Sequence, residues 1–138
     1  MKTYLIDDDN LAIFLAENLI RVENFSTAVH SFQSAQEALA ALLAPEEDLP
    51  QVIFLDLNMP AMNGWQFLDA LTPHQAALRG HCHIYILTSS LALRDLEKST
   101  HYELVTGLIH KPLDRTELRA IRAQLSAVED DSQAAPAL

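Results

Sequence analysis

Four apolar runs in this sequence each lead into a polar residue capable of chemistry. Tyr4-Leu5-Ile6 is followed by Asp7, Asp8 and Asp9, Val52-Ile53-Phe54-Leu55 by Asp56, and Ile84-Tyr85-Ile86-Leu87 by Thr88; Leu108-Ile109 precedes Lys111 by one residue. If the runs are strands of one sheet, these groups converge on one edge. Two carboxylates about 4 Å apart repel by about 4 kcal/mol at an effective dielectric of about 20, so the cluster calls for a cation or raised pKa values. A hard divalent ion meets that need. Mg2+ binds through one or two carboxylates plus a phosphate oxygen and keeps several waters. On this reading Asp8 and Asp56 are direct ligands, and Asp7 acts through a bound water. A lysine ammonium and a threonine hydroxyl beside the metal complete a site for the oxygens of a phosphoryl group. No further nucleophile is needed, because an aspartate can itself take that group as an acyl phosphate.

The elements that must hold these groups alternate along the chain. Ala28-Val29 is a further strand candidate, and the runs at Val52–Leu55 and Ile84–Leu87 are apolar enough to be buried on both faces. The first helix is expected from about Leu11 to Glu23, with Leu11, Phe14, Leu15, Asn18, Leu19 and Val22 on the 3.6-residue period. A second follows Ser34, which forms a capping-box pattern with Glu37. A third starts near Gly64 and ends before Pro73, a fourth runs from about Leu91 to Ser99, and a fifth is capped by Asp114 with Glu117 at the matching position. Strand alternating with helix five times predicts an α/β fold: a parallel sheet covered on both faces by right-handed crossovers. Ligands bind such sheets outside the carboxyl ends of the strands, where the polar residues stand. The acidic loop from Ala44 to Pro50 and the looser connection from Thr72 to His81 are too short to be domain linkers. Residues 1–127 therefore read as one domain, and 128–138 as an acidic tail without periodicity, expected to be disordered.

Composition narrows the functions open to this domain. The 138 residues include nineteen acidic and nine basic ones, for a net charge of −10. Nucleic-acid affinity rests on clustered lysine and arginine, so no nucleic-acid partner is expected. The single cysteine, Cys82, excludes a disulfide framework and fits a reducing compartment. No apolar run approaches the roughly 20 residues that span a bilayer, and Met1-Lys2-Thr3 leads straight into a strand-like segment. The expectation is a cytoplasmic protein with no membrane partner.

Taken in order, Leu5-Ile6-Asp7-Asp8-Asp9, Phe54-Leu55-Asp56-Leu57-Asn58-Met59-Pro60-Ala61-Met62-Asn63-Gly64, Leu87-Thr88-Ser89 and Lys111-Pro112-Leu113 resemble the receiver domain of two-component response regulators, from about Lys2 to Ser126. The layout is similar to that of the stand-alone chemotaxis regulator. The resemblance implies a flavodoxin-like sheet of strand order 2-1-3-4-5 with five helices. It implies that Asp56 is the phosphoacceptor, Asp7 and Asp8 the acidic pair, the backbone carbonyl of Asn58 a metal ligand, Thr88 the switch hydroxyl and Lys111 the contact to the phosphoryl group. Partners would be a histidine kinase or histidine phosphotransfer protein, and a downstream protein. In one respect the sequence departs from the family. Three residues before the lysine the family carries Phe or Tyr, whose ring moves as the threonine follows the phosphoryl group; here that place is Leu108. The phosphorylation chemistry is complete, but the aromatic half of the switch is missing.

Plainer roles account for other residues. Asp9 reads as the cap of the first helix, Gly64 as a residue for a turn and close packing, and Trp65 as an anchor of the third helix. Ser89 is small enough to leave room beside a phosphoryl group. His81, Cys82 and His83 suggest a metal triplet, but neighbours in an extended segment point to opposite faces. Among competing functions, an aspartyl-phosphate phosphatase of the haloacid dehalogenase type needs an acid two residues after its nucleophile. That place is Asn58, which cannot transfer the proton. A flavodoxin would bind a cofactor phosphate at the first loop, which here is acidic. A phosphorylation-independent interaction module has only Leu108 in its favour. With no second domain following, output is expected through protein contact or onward phosphotransfer, and enzymatic activity only as Mg2+-dependent self-phosphorylation and slow self-dephosphorylation.

Overall fold

The computed structural model describes residues 1–44, 48–90 and 92–134, the last seven as helical backbone. Ten elements alternate along the chain: β1 (Lys2–Ile6), α1 (Asn10–Val22), β2 (Ala28–Phe32), α2 (Ala35–Leu42), β3 (Val52–Asp56), α3 (Gly64–Leu71), β4 (His83–Thr88), α4 (Leu93–Ser99), β5 (Val105–His110) and α5 (Arg115–Ala134). The strands form one parallel sheet in the order β2-β1-β3-β4-β5. The flavodoxin-like arrangement expected from the sequence is the one found.

Strand alternation divides the core between the two faces. Tyr4, Ile6, Ile53, Leu55, Ile84 and Ile86 pack with α2 and α3 through Leu42, Phe67 and Leu71. Leu5, Phe54, Tyr85, Leu87 and Ile109 pack on the other face with Ile20 of α1 and Leu118 and Ile121 of α5. The same alternation places the strand-end residues. Continued past each strand, it puts Asp7, Asp56 and Lys111 on the α1/α5 side and Thr88 on the α3 side.

The observed elements differ from the sequence reading in several places. β2 and β5 are longer than their apolar dipeptides, because edge strands tolerate His30, Ser31, Thr106 and Gly107 where a central strand would not. The connection after α3 is helical instead of loose, with a 3-10 turn at Thr72–His74 and a single helical turn at Gln75–Leu78. Most of the expected α1 stripe faces outward, with Leu11, Phe14, Leu15 and Val22 exposed; its Leu19 meets the core, together with Ala16 and Ile20. The helical backbone of α5 continues to Ala134, past the boundary at 127 and into the expected disordered tail. Once Leu118 and Ile121 dock the helix, further turns propagate from an existing nucleus and carry no new nucleation cost. Residues 135–138 of that tail, residues 45–47 of the acidic loop and Leu91 lie outside the described residues. No described helix is long and apolar enough to cross a membrane.

Candidate functional site

β1 and β3 are neighbours in register, with Ile6 opposite Leu55, so Asp7 and Asp56 leave the sheet side by side. Both are buried. Asp8, one residue on, is exposed, and the three residues offer carboxylate oxygens that all lie within 4.8 Å of one another. Among the described residues this is the group able to hold a metal. His81, Cys82 and His83 form no such group; Cys82 is buried in the core, which pushes its thiol up to about 11.

Lys111 is the cation of the cluster. Its backbone N–H donates to the Thr88 carbonyl at 2.8 Å, tying the end of β5 to that of β4. Its Nζ lies 2.8 Å from Asp7 Oδ2 and 3.3 Å from Asp56 Oδ1. Burial lowers the Lys111 pKa, but the hydrogen bond and charge of Asp7 and the charge of Asp56 outweigh it, and the net shift is upward. For Asp56 the balance goes against ionisation. Burial and the neighbouring Asp7 raise its pKa, opposed by Lys111 and by the backbone N–H of Asn58, which donates to the carboxylate. Asp7 is further held by the Asp9 N–H, which donates to Oδ1 at 3.0 Å. Three carboxylates thus face one ammonium. A hard oxygen-seeking cation fits this donor set, because it would neutralise the charge that Lys111 leaves over.

The remaining site residues take more peripheral places. Asp9 caps α1, accepting from the N–H groups of Leu11 and Ala12 at 2.9 and 3.4 Å. The Thr88 hydroxyl engages its own loop: it donates to the Ser90 carbonyl at 2.9 Å and accepts from the Ser90 N–H at 3.1 Å. Leu108 is half-buried on the α3 face, packed against the core. The start of α3 carries a capping box between Asn63 and Gln66. Their Asn-x-x-Gln spacing is the signal for it in the sequence, one that the reading above does not use. Gly64 brings α3 close to the end of β3; a Cβ there would lie 2.8 Å from the Asp56 carbonyl oxygen and 2.9 Å from Leu57 Cα. Gly64→Ala is expected to cost about 1–3 kcal/mol, the usual range for overpacking against unyielding atoms. Urea unfolding measures it, and an unchanged midpoint would show that the loop gives way. Beside the cluster, Leu11 and Leu15 of α1 line an apolar cavity of about 200 Å³ with Pro112 and Leu113.

This geometry agrees with comparisons to known proteins. Residues 4–122 match the family model of the response regulator receiver domain. A two-component response regulator from Cytophaga hutchinsonii is 29% identical with a TM-score of 0.82, covering 91% of this chain and 96% of its own. A response regulator receiver protein from Dyadobacter fermentans is also 29% identical, with a TM-score of 0.79 and coverages of 90% and 96%. An uncharacterised response regulatory protein of Yersinia pestis is 27% identical over 124 residues, which span 88% of this chain and 49% of that relative. The chain thus spans about half the length of that curated relative. It belongs to the response regulator receiver domain family. Family and three-carboxylate cluster together make it a domain of phosphorylation-based, two-component signalling.

Proposed function

We propose that residues 1–127 form a receiver that takes a phosphoryl group on Asp56 from a histidine kinase or a histidine phosphotransfer protein. It passes the state on by binding a downstream protein or by handing the group onward. The observation that carries this reading is the meeting of Asp7, Asp8, Asp56 and Lys111 at one end of the sheet. An Asp56 carboxylate oxygen bonds to phosphorus as the bond from phosphorus to the donor's imidazole nitrogen breaks. Mg2+, when bound, would supply positive charge to the transferring oxygens; Asp8 and Asp56 would hold it directly and Asp7 through a water, with the Asn58 carbonyl as a further ligand. Lys111 turns from Asp7 and Asp56 to the phosphoryl oxygens. Thr88 has a single hydroxyl proton, so it must release the Ser90 carbonyl to donate to the same group. The exposed Leu11 and Leu15 of α1, which line the cavity beside the cluster, give the donor protein an apolar surface to pack on. The net charge of −10 supports output through protein rather than nucleic acid, and the buried free cysteine supports a cytoplasmic location.

Acetyl phosphate with Mg2+ is the direct test. Intact-protein mass should rise by one phosphoryl group, and the rise should vanish when the metal is chelated. No rise under any condition would favour the phosphorylation-independent module, for which Leu108 is the observation. Lys111→Ala separates the roles inside the cluster. Its ammonium competes with a metal for Asp7 and Asp56, so the variant should keep Mg2+ binding while phosphorylation slows by about 10²-fold, the usual loss on removing one charge-stabilising donor. Wild-type phosphorylation and partner affinity in this variant would remove Lys111 from the mechanism.

A further inference from the structure

Leu108 leaves β5 without the ring that the family carries there, yet rings gather nearby on the same face. Trp65, the second residue of α3, stacks on Tyr102, with ring centroids 5.8 Å apart and planes 26° from parallel. Lys98 Nζ of α4 lies 4.7 Å from the centroid of the Trp65 ring. The Tyr102 hydroxyl donates to Asp69 Oδ1 at 2.7 Å, so α3 holds this tyrosine by both its face and its hydroxyl. Both rings pack against the core cluster that Leu108 also joins. The segment between α4 and β5 is thereby fastened to α3.

The covalent path makes this fastening part of a closed circuit with the candidate phosphorylation site. From Asp56 the chain passes through Leu57, whose carbonyl accepts from the Gly64 N–H at 3.0 Å, and the close approach of Gly64 leaves α3 little room to shift alone. Trp65 is the next residue. On the far side, the Tyr102 carbonyl accepts from the N–H of Val105, where β5 begins, at 3.1 Å. β5 ends beside Lys111, whose ammonium returns to Asp56. A phosphoryl group on Asp56 would take Lys111 from Asp7 and so disturb both ends of the circuit at once.

Resting on the proposed phosphorylation of Asp56, we infer that the Trp65–Tyr102 stack, with Lys98 over it, carries a change at the Asp56 loop into α4 and β5 in place of the ring that Leu108 lacks. The stack is where α3, α4 and the approach to β5 meet, so relative movement among them must be taken up there. A phosphoryl group biases a conformation only by interacting differently with two states, and the stack provides contacts that two such states would not share.

Trp65 is the only tryptophan of the chain, so its emission reports on the stack directly. Adding beryllofluoride to the wild-type protein already saturated with Mg2+ should change that emission further and move the backbone amide signals of Leu93–Ser99. In Tyr102→Leu, acetyl phosphate with Mg2+ should still add one phosphoryl group at wild-type yield, while beryllofluoride no longer moves the α4 amides. Tyr102→Phe, which keeps the ring, should restore the movement. Full-sized α4 changes in Tyr102→Leu, at normal phosphorylation yield, overturn the relay alone; so does Tyr102→Phe behaving like Tyr102→Leu. Absence of any mass gain in wild-type protein overturns the functional reading and the relay with it. Should Tyr102→Leu fail to fold, the wild-type protein decides, since an unchanged Trp65 emission on fully phosphorylated protein rules the relay out.

Discussion

Asp56→Asn should reduce phosphorylation by acetyl phosphate to background while leaving the fold intact. The nucleophile must be an ionised carboxylate, and an amide of the same shape has neither the charge nor the basicity to form the acyl phosphate. The neighbouring acids are poor substitutes. Asp7 has one oxygen committed to Lys111 and the other to the Asp9 N–H, and Asp8 is exposed beyond the reach of the lysine contacts. Phosphate on the Asp56→Asn variant at wild-type yield would move the acceptor elsewhere. A second readout follows from the pKa of Asp56, which burial and Asp7 raise in the folded protein above its unfolded value. The folded state therefore holds this proton more tightly. The stability so gained is complete below the unfolded pKa and is lost as pH rises through the folded one. Above the raised pKa, in metal-free protein, ionised Asp56 stands as a cost that the variant lacks. Asp56→Asn should accordingly melt higher than wild type there, and the gap should close as pH falls through the raised pKa. A variant that melts lower above that pKa would show that the contacts of Asp56 with Lys111 and Asn58 dominate.

The central strands were legible because they are buried on both faces. Val52–Leu55 and Ile84–Leu87 are unbroken apolar runs, and Asp56 and Thr88 follow them at once. Strand parity then carries Asp7, Asp56 and Lys111 to one side without any knowledge of the loops. The edge strands were read too short, since His30 and Gly107 interrupt an apolar run where only one neighbour strand demands one. Periodicity also finds a stripe without saying what covers it. On α1 it marks Leu11, Phe14, Leu15, Asn18, Leu19 and Val22; of these Leu19 packs against the core, but Leu11, Phe14, Leu15 and Val22 lie on the surface, and Ile20 makes the fully buried contact. The partner of the Thr88 hydroxyl was beyond reach for a related reason. Its choice of Ser90 over the cluster depends on the path of one loop, and the sequence Thr-Ser-Ser permits several. Tyr102 carries no local signal in the sequence, because its ring contact is with Trp65, thirty-seven residues away.

Asp8→Ala should separate metal binding from folding more cleanly than any other change in the cluster. Asp8 is exposed and makes no ion pair with Lys111, unlike Asp7 and Asp56. Its carboxylate lies within 4.8 Å of those of Asp7 and Asp56, so removing that charge should leave the metal-free variant folded and at least as stable as wild type. Its response to Mg2+ should differ sharply. Even partners that only orient a ligand typically contribute about 10–100-fold to metal affinity, and a direct ligand should contribute no less. At a Mg2+ concentration of about 100 times the dissociation constant, binding stabilises wild-type protein by about 2.7 kcal/mol; a hundredfold weaker site gains only about 0.4 kcal/mol at the same concentration. Melting curves with and without Mg2+ should therefore separate for wild type and nearly coincide for Asp8→Ala, and phosphorylation by acetyl phosphate at low Mg2+ should slow in parallel. Titration by Trp65 fluorescence gives the affinity itself. An equal Mg2+-dependent rise in both proteins would remove Asp8 from the ligand set and leave Asp7 and Asp56 to hold the ion.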